Sequence, residues 1–150
     1  MKQSPKEIKI TARMQPGVIT LSGFLGEDDR HYHEIIADDE KTLAAYGFSP
    51  EVIADRLEYF TNASFENFTG VEFIENLYQV ETEVTRGKLP CPFSHAGLYR
   101  KTVTTLTNTK TGVTIRWSGL NIHLIREHHF FEGKGSTFRL EPELLIKTIF

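Results

Sequence analysis

An alternating pattern between residues 78 and 85 constrains the fold most strongly. Tyr78, Val80, Thr82 and Val84 alternate with Gln79, Glu81, Glu83 and Thr85. Successive side chains of a β-strand point to opposite faces of the sheet, so this alternation predicts a strand. A Thr-rich segment at 98–107 and a segment carrying Val113, Ile115 and Trp117 follow, separated by turn-forming residues at 108–112. Together these segments predict an antiparallel sheet that contains at least one hairpin.

Residues 8–14 also alternate, with Ile8, Ile10, Ala12 and Met14 on one side. The sequence Gln15-Pro16-Gly17 that follows suits a type II turn, because proline fixes φ and glycine accepts a positive φ. We therefore predict two N-terminal strands, over 8–14 and 18–23, that fold back on each other.

The apolar spacing becomes helical from Tyr32 onward, where Asp28 or Asp29 is expected to cap the helix. Gly47 is expected to end it, and Ser49 with Pro50 to begin a second helix. The pair predicts an αα-hairpin, followed by a linker at 61–70. We further expect a loop at 86–97.

Ser118 is positioned to cap a helix from Gly119 to about Phe131, and Pro142 to begin a short last helix. The predicted order is ββααβββαα. With 150 residues, the chain is expected to form one α+β domain with a sheet of about five strands and helices on one face.

Composition excludes several classes of protein. Lys and Arg total 17 against 20 Asp and Glu, a net charge of -3, which disfavours nucleic acid as a partner. The single cysteine excludes an internal disulfide and a Cys₂ or Cys₄ zinc site. No apolar run is long enough for a membrane span or a signal peptide. These features predict a cytoplasmic protein without a membrane partner.

Cysteine and histidine residues in the C-terminal half suggest a metal site. Thiolate and imidazole are good ligands for zinc, the cofactor that these residues would suit. The spacing matches no named zinc motif, and nucleophilic attack by the thiol or plain hydrogen bonding of each histidine are the alternatives. The candidate ligands are Cys91, His95, His123, Glu127 and His128.

Charge is distributed unevenly along the chain. Residues 27–58 carry ten acidic and three basic side chains, whereas residues 100–139 carry two acidic and seven basic ones. One explanation is that the two segments pack near each other or that both form solvated faces. The other is that the basic segment, residues 100–139, forms a pocket for a small anionic ligand. The candidates for that pocket are Arg116, Arg126, Lys134 and Arg139. Gly133-Lys134-Gly135-Ser136 lacks the spacing of a nucleotide-binding loop, which favours a simple turn.

Two further features have more than one explanation. The stretch from Glu27 to His33 combines carboxylates with histidines, which suits either Mn or Mg binding or the capping of a helix. Phe130 and Phe131 adjoin two histidines and cannot all face inward on one helix, which makes a homodimer one explanation for the apolar surface.

Several segments together resemble a group of small uncharacterised bacterial cytosolic proteins. They are Leu89–Phe93, Arg116-Trp117, His123–Ile125, His128–Ser136 and Arg139. The resemblance covers about residues 77–142 and implies a cytosolic location but no activity. Three functions therefore stay open: a binding protein for an anion or metal, a structural or regulatory protein acting through a dimer or partner, and a small Cys- or metal-dependent hydrolase.

Overall fold

The computed structural model describes residues 3–65, 70–93 and 95–150. The described part of the chain contains four strands and five helices, which confirms the α+β class. The predicted element order is wrong, because three helices precede the sheet, and the sheet has four strands where about five were predicted. The elements are α1 (Pro5–Arg13), α2 (Tyr32–Ala45), α3 (Pro50–Phe65), β1 (Val71–Ile74), β2 (Tyr78–Pro90), β3 (Leu98–Asn108), β4 (Thr114–Ser118), α4 (Gly119–His128) and α5 (Pro142–Ile149).

The sheet has the order β1-β2-β3-β4, and each strand is antiparallel to its neighbour. The prediction missed β1. It also ended the second strand too early, because residues 86–90 pair with β3 after an irregularity between Thr85 and Lys88. Most side chains in this distal part of β2 are exposed, so the segment lacks the apolar alternation that reveals a half-buried strand.

The N-terminal segment is a helix and not the predicted strand. Ser4 and Glu7 form a reciprocal capping box and Pro5 occupies the first turn, a combination that favours helix. Ile10 and Met14 are buried whereas Ile8 is 56% exposed. The buried pair is four residues apart, so the alternation conceals a helical spacing. Residues 18–23 form turns and bends instead of a second strand.

The helices α2 and α3 and the short turn between them, with Gly47 at a φ of 78°, are confirmed. The predicted packing of the two helices against each other is wrong, because α2 packs mainly on α5 whereas α3 packs mainly on α4 and β2. The N-cap of α2 is His31 and neither aspartate. Part of the predicted linker belongs to α3, which continues to Phe65, and residues 66–69 lie outside the described residues.

Helix α4 ends at His128, three residues before its predicted end, and His129 adopts a left-handed conformation as its C-cap. The change of direction sends two adjacent aromatic rings into different cores. Phe131 joins the core between the sheet and α3, α4 and α5. Phe130 joins a second core with Ile10, Met14 and Leu124. Both rings are fully buried, which removes the exposed patch that motivated the homodimer prediction.

The turn after α4 packs backbone to backbone against residues 24–27. Gly133 N donates to Phe24 O at 2.8 Å, and Glu27 N donates to Lys134 O at 2.9 Å. A Cβ atom on Gly133 would overlap the Leu25 carbonyl, and one on Gly26 would overlap the Ser136 amide. The glycines therefore permit a close contact between two distant chain segments.

In the parts of the chain that the structure describes, every helix is too short or too polar to cross a lipid bilayer.

Candidate metal centre

Four potential metal-binding side chains meet between the β2–β3 loop and α4. The Sγ atom of Cys91 and one ring nitrogen each of His95, His123 and His128 all lie within 4.8 Å of one another. His95 Nε2 is 2.9 Å from His123 Nε2 and 3.1 Å from His128 Nε2. We call these four residues the Cys/His group. The structure thus brings together four of the five candidates.

Two chain segments supply the group. Cys91 follows β2 directly and His95 lies in the loop before β3, whereas His123 and His128 belong to α4. The two helical histidines are five positions apart, a poorer spacing than four for a shared helix face. Their rings still approach, with centroids 5.1 Å apart, and His128 is the last helical residue.

Two of the distances between ligand atoms are close to those of a tetrahedral zinc site. With Zn–N bonds of 2.0–2.1 Å, the nitrogen atoms at two corners of a tetrahedron lie about 3.3 Å apart. The two Nε2 distances from His95, 2.9 Å and 3.1 Å, are a few tenths of an ångström shorter. A small outward shift of the rings would therefore bring these two distances to the tetrahedral value.

A carbonyl oxygen fixes the tautomer of His95. Its Nδ1 lies 3.0 Å from Ala96 O. A carbonyl oxygen only accepts, so Nδ1 carries the proton and Nε2 directs its lone pair at the other histidines. Metal-binding histidines almost always donate their second ring N–H in this way.

Aromatic side chains hold the other two imidazole rings. Phe93 stacks on His128 with centroids 4.1 Å apart and an interplanar angle of 8°. Tyr99 stacks on His123 at 4.2 Å and 29°. These contacts limit rotation of the rings, which reduces the entropy lost when the rings bind an ion.

Burial shifts the pKa values of three members of the group, Cys91, His123 and His128. It raises the pKa of the Cys91 thiol to about 11, so the thiol itself is a poor nucleophile at neutral pH. Burial, His123 and His95 lower the pKa of His128 to about 4, and burial followed by His95 lowers the pKa of His123. Neutral imidazole is the form that binds a metal, and a bound divalent cation deprotonates a coordinating thiol.

Glu127 lies outside the Cys/His group. Its side chain is exposed and borders a cavity of ≈ 290 Å³ together with His123 and Arg126. Glu127 is four residues from His123 on α4, so the two side chains lie near each other. The loop that carries Cys91 and His95 nevertheless meets His128 and not Glu127.

Of the four basic candidates, Arg116 and Arg139 line one cavity of ≈ 260 Å³ together with Glu141, and Arg126 borders a different one. Arg126 pairs with Asp55 at 2.9 Å and with Glu58 at 2.7 Å. Arg116 and Lys134 are exposed, and the Arg116 guanidinium lies 5.8 Å from the centroid of the Phe138 ring. Arg139 contacts Asp39 through two bonds, at 2.5 Å and 2.9 Å.

These ion pairs also explain the uneven charge distribution. Asp39, Asp55 and Glu58 belong to the acidic segment, whereas Arg126 and Arg139 belong to the basic one. His129 adds contacts to Glu40 and Glu51 at 2.6 Å and 2.8 Å. The contacts fit the interpretation in which the two segments pack near each other.

A second set of histidines, His31 and His33 beside Glu7, does not offer the same chemistry. His31 Nδ1 accepts the His33 backbone N–H at 3.1 Å and so caps α2. The proton of neutral His31 must then reside on Nε2, which lies 3.6 Å from the Glu7 carboxylate. That nitrogen presents a proton where a metal needs a lone pair. Asp28 pairs with Arg30 at 2.6 Å, so in this stretch His31, and not an aspartate, caps α2.

Glu132 is a polar residue bonded to the N-terminal end of α4, and sequence analysis did not identify it. It is buried, and its carboxylate accepts hydrogen bonds from Ser136 Oγ at 2.5 Å and from Asn121 Nδ2 at 2.8 Å. Burial raises its pKa to about 7, and its backbone has a φ of 67°. Its position directly after two buried phenylalanines was the available signal.

No protein-family model, curated protein or solved structure matches this chain. Its function is therefore inferred from the chemistry of the Cys/His group and its surroundings.

Proposed function

We propose that the protein binds one zinc ion through Cys91, His95, His123 and His128. The observation that carries this proposal is the convergence of four ligand atoms within 4.8 Å of one another. Four protein ligands complete the tetrahedral coordination of zinc, which is typical of structural rather than catalytic sites.

The donor set favours zinc over the hard cations. Magnesium and calcium prefer oxygen ligands, and the Cys/His group offers one sulfur and three nitrogens. One thiolate neutralises half of the ion's charge, and the imidazoles remain neutral. The thiol is buried, so the ion would also relieve the energetic cost of a thiolate in an apolar environment.

Binding would join the β2–β3 loop to α4. The loop supplies two ligands and the helix supplies two, so the ion would cross-link the loop to the helix. Metal binding at such a site stabilises the folded chain, because the arranged ligands do not exist in the unfolded one. The protein would thus be a small zinc-stabilised binding domain.

Elemental analysis tests the proposal most directly. The untagged protein, purified without chelators, is assayed for Zn, Mn, Fe and Ni. We expect one zinc per chain in the wild type and in the control variant His33→Ala, whose exposed imidazole lies outside the Cys/His group. We expect loss of zinc in Cys91→Ala and in His123→Ala.

Cobalt substitution provides a second readout. Cobalt in a tetrahedral site with a thiolate ligand gives intense visible bands and a sulfur-to-metal charge-transfer band. We expect both in the wild type and no charge-transfer band in Cys91→Ala. Protein that contains no zinc, and that fails to compete with a chromogenic chelator for added zinc, would refute the proposal.

A further inference from the structure

A cavity of ≈ 430 Å³ borders two of the proposed zinc ligands, Cys91 and His95. This volume lies within the range of small-molecule sites. The rest of its wall comes from the end of α1, the bend that follows it and the end of β2, through Arg13, Val18, Ile19 and Pro90.

Arg13 differs from the other half-buried arginines of the described residues. Arg30, Arg56, Arg126 and Arg139 each pair with at least one carboxylate. Within residues 3–65, 70–93 and 95–150, no carboxylate forms an ion pair with the guanidinium of Arg13. A partly buried guanidinium without a counter-ion is energetically unfavourable.

The charges around the cavity call for an anion. A zinc ion bound to one thiolate and three neutral imidazoles has a net charge of one positive unit, and Arg13 adds another. The residues that line the cavity include no aspartate or glutamate. An anion in the cavity would be attracted by both charges, and the attraction is stronger where water is partly excluded.

The residue types of the wall favour an organic anion. The Arg13 guanidinium offers two parallel N–H donors, the geometry that matches a carboxylate. Val18, Ile19 and Pro90 add apolar surface, which would gain from contact with a hydrocarbon group and not with inorganic phosphate.

We propose that this cavity binds a small organic carboxylate, with its carboxylate on Arg13 and its short apolar chain against Val18 and Ile19. The inference rests on the proposed zinc site, because the ion supplies part of the positive charge.

Calorimetric titration of the purified protein tests this inference, with its zinc content measured on the same sample. The probes are 3-methylbutanoate, its uncharged amide and inorganic phosphate. We expect 3-methylbutanoate to bind at least tenfold more tightly than the amide and more tightly than phosphate. Arg13→Gln should weaken binding about tenfold and leave one zinc per chain, whereas Lys9→Gln, an exposed change on the same helix, should alter neither.

The two proposals fail in different ways. A sample with one zinc per chain that binds no 3-methylbutanoate would overturn the carboxylate site and leave the zinc site intact. Equal binding to the wild type and to Arg13→Gln, or tighter binding of phosphate, would also overturn it. A sample that neither contains nor binds zinc would refute the proposed function and, with it, the charge argument for the cavity.

Discussion

Helix α4 carries a polar group at each end, and the two groups differ in how their atoms are satisfied. At the N-terminal end, Ser118 and Asn121 form a capping box, and Asn121 donates onward to the buried Glu132. Ser136 donates to the other oxygen of that carboxylate. We call this set the Glu132 group. At the C-terminal end lies the Cys/His group, where one thiol and three imidazole nitrogens lie within 4.8 Å of one another.

The comparison shows what distinguishes a structural network from a ligand site. In the Glu132 group, hydrogen-bond donors of the protein reach both carboxylate oxygens. In the Cys/His group, three imidazole nitrogens lie around one position without a carboxylate among them. A cation would complete that arrangement, whereas the Glu132 group is complete without one.

The largest effect expected from this difference is on zinc affinity. Replacing His128 with alanine removes one of four ligands and should weaken zinc binding roughly 1,000-fold, about 4 kcal/mol. Replacing Glu132 with glutamine should change zinc affinity little. Competition with a chromogenic chelator measures both variants. Similar losses in both would mean that the two groups act as one unit.

The next effect concerns the pH dependence of stability. Burial raises the pKa of Glu132 from 4.5 to about 7. Between these values the unfolded chain releases the proton and the folded chain keeps it, so the free energy of unfolding should fall as pH rises from about 4.5 to 7. The fall attributable to Glu132 is about 3 kcal/mol.

Urea unfolding of the wild type and Glu132→Gln, at pH 5 and at pH 7.5, isolates this contribution. The variant cannot ionise at position 132, so its stability should fall less over the same interval. Parallel profiles for the two proteins would show that Glu132 titrates normally, and the contrast between the groups would then lose its electrostatic basis.

A smaller effect is expected at His31, whose ring nitrogen is already used as a helix cap. His31→Ala should destabilise the protein by about 1 kcal/mol, and His31→Asn should retain most of the stability because asparagine also caps helices. Zinc affinity should be the same in both variants and in the wild type. A loss of zinc in His31→Ala would contradict the distinction drawn between the two histidine sets.

The last effect, of similar size, concerns the ring that stacks on His128. Phe93→Leu keeps apolar volume but removes the parallel contact, and should weaken zinc binding several-fold, about 1 kcal/mol. The zinc content of the purified protein should remain one per chain. Retention of full affinity would show that the stacking does not orient His128.

Sequence analysis predicted the α+β class, β2 to β4 and the helices α2 and α3 because their apolar periodicity is clear. It failed at residues 8–14, where Ile10 and Met14 fit both a strand and a helix pattern. The capping box of Ser4 and Glu7 decides between the two.

The candidate site shows the same limit. Residue chemistry identified Cys91, His95, His123 and His128 together, since few other side chains suit zinc. It could not exclude Glu127, because the loop path decides which helical side chain the loop contacts. Glu132 was missed because its burial depends on donors that lie 11 and 4 residues away and on a left-handed backbone conformation.

The glycine contact between residues 24–27 and the turn at 133–136 has a consequence for the order of folding. Lys134 N also donates to Asp28 across 106 positions of sequence. Residues 24–27 have no packing partner until the turn at 133–136 has been synthesised. Long-range pairing of this kind slows folding. We therefore expect the sheet to form early and the segment carrying Arg13 to dock late. The cavity beside the Cys/His group would then be among the last features of the fold to form during synthesis.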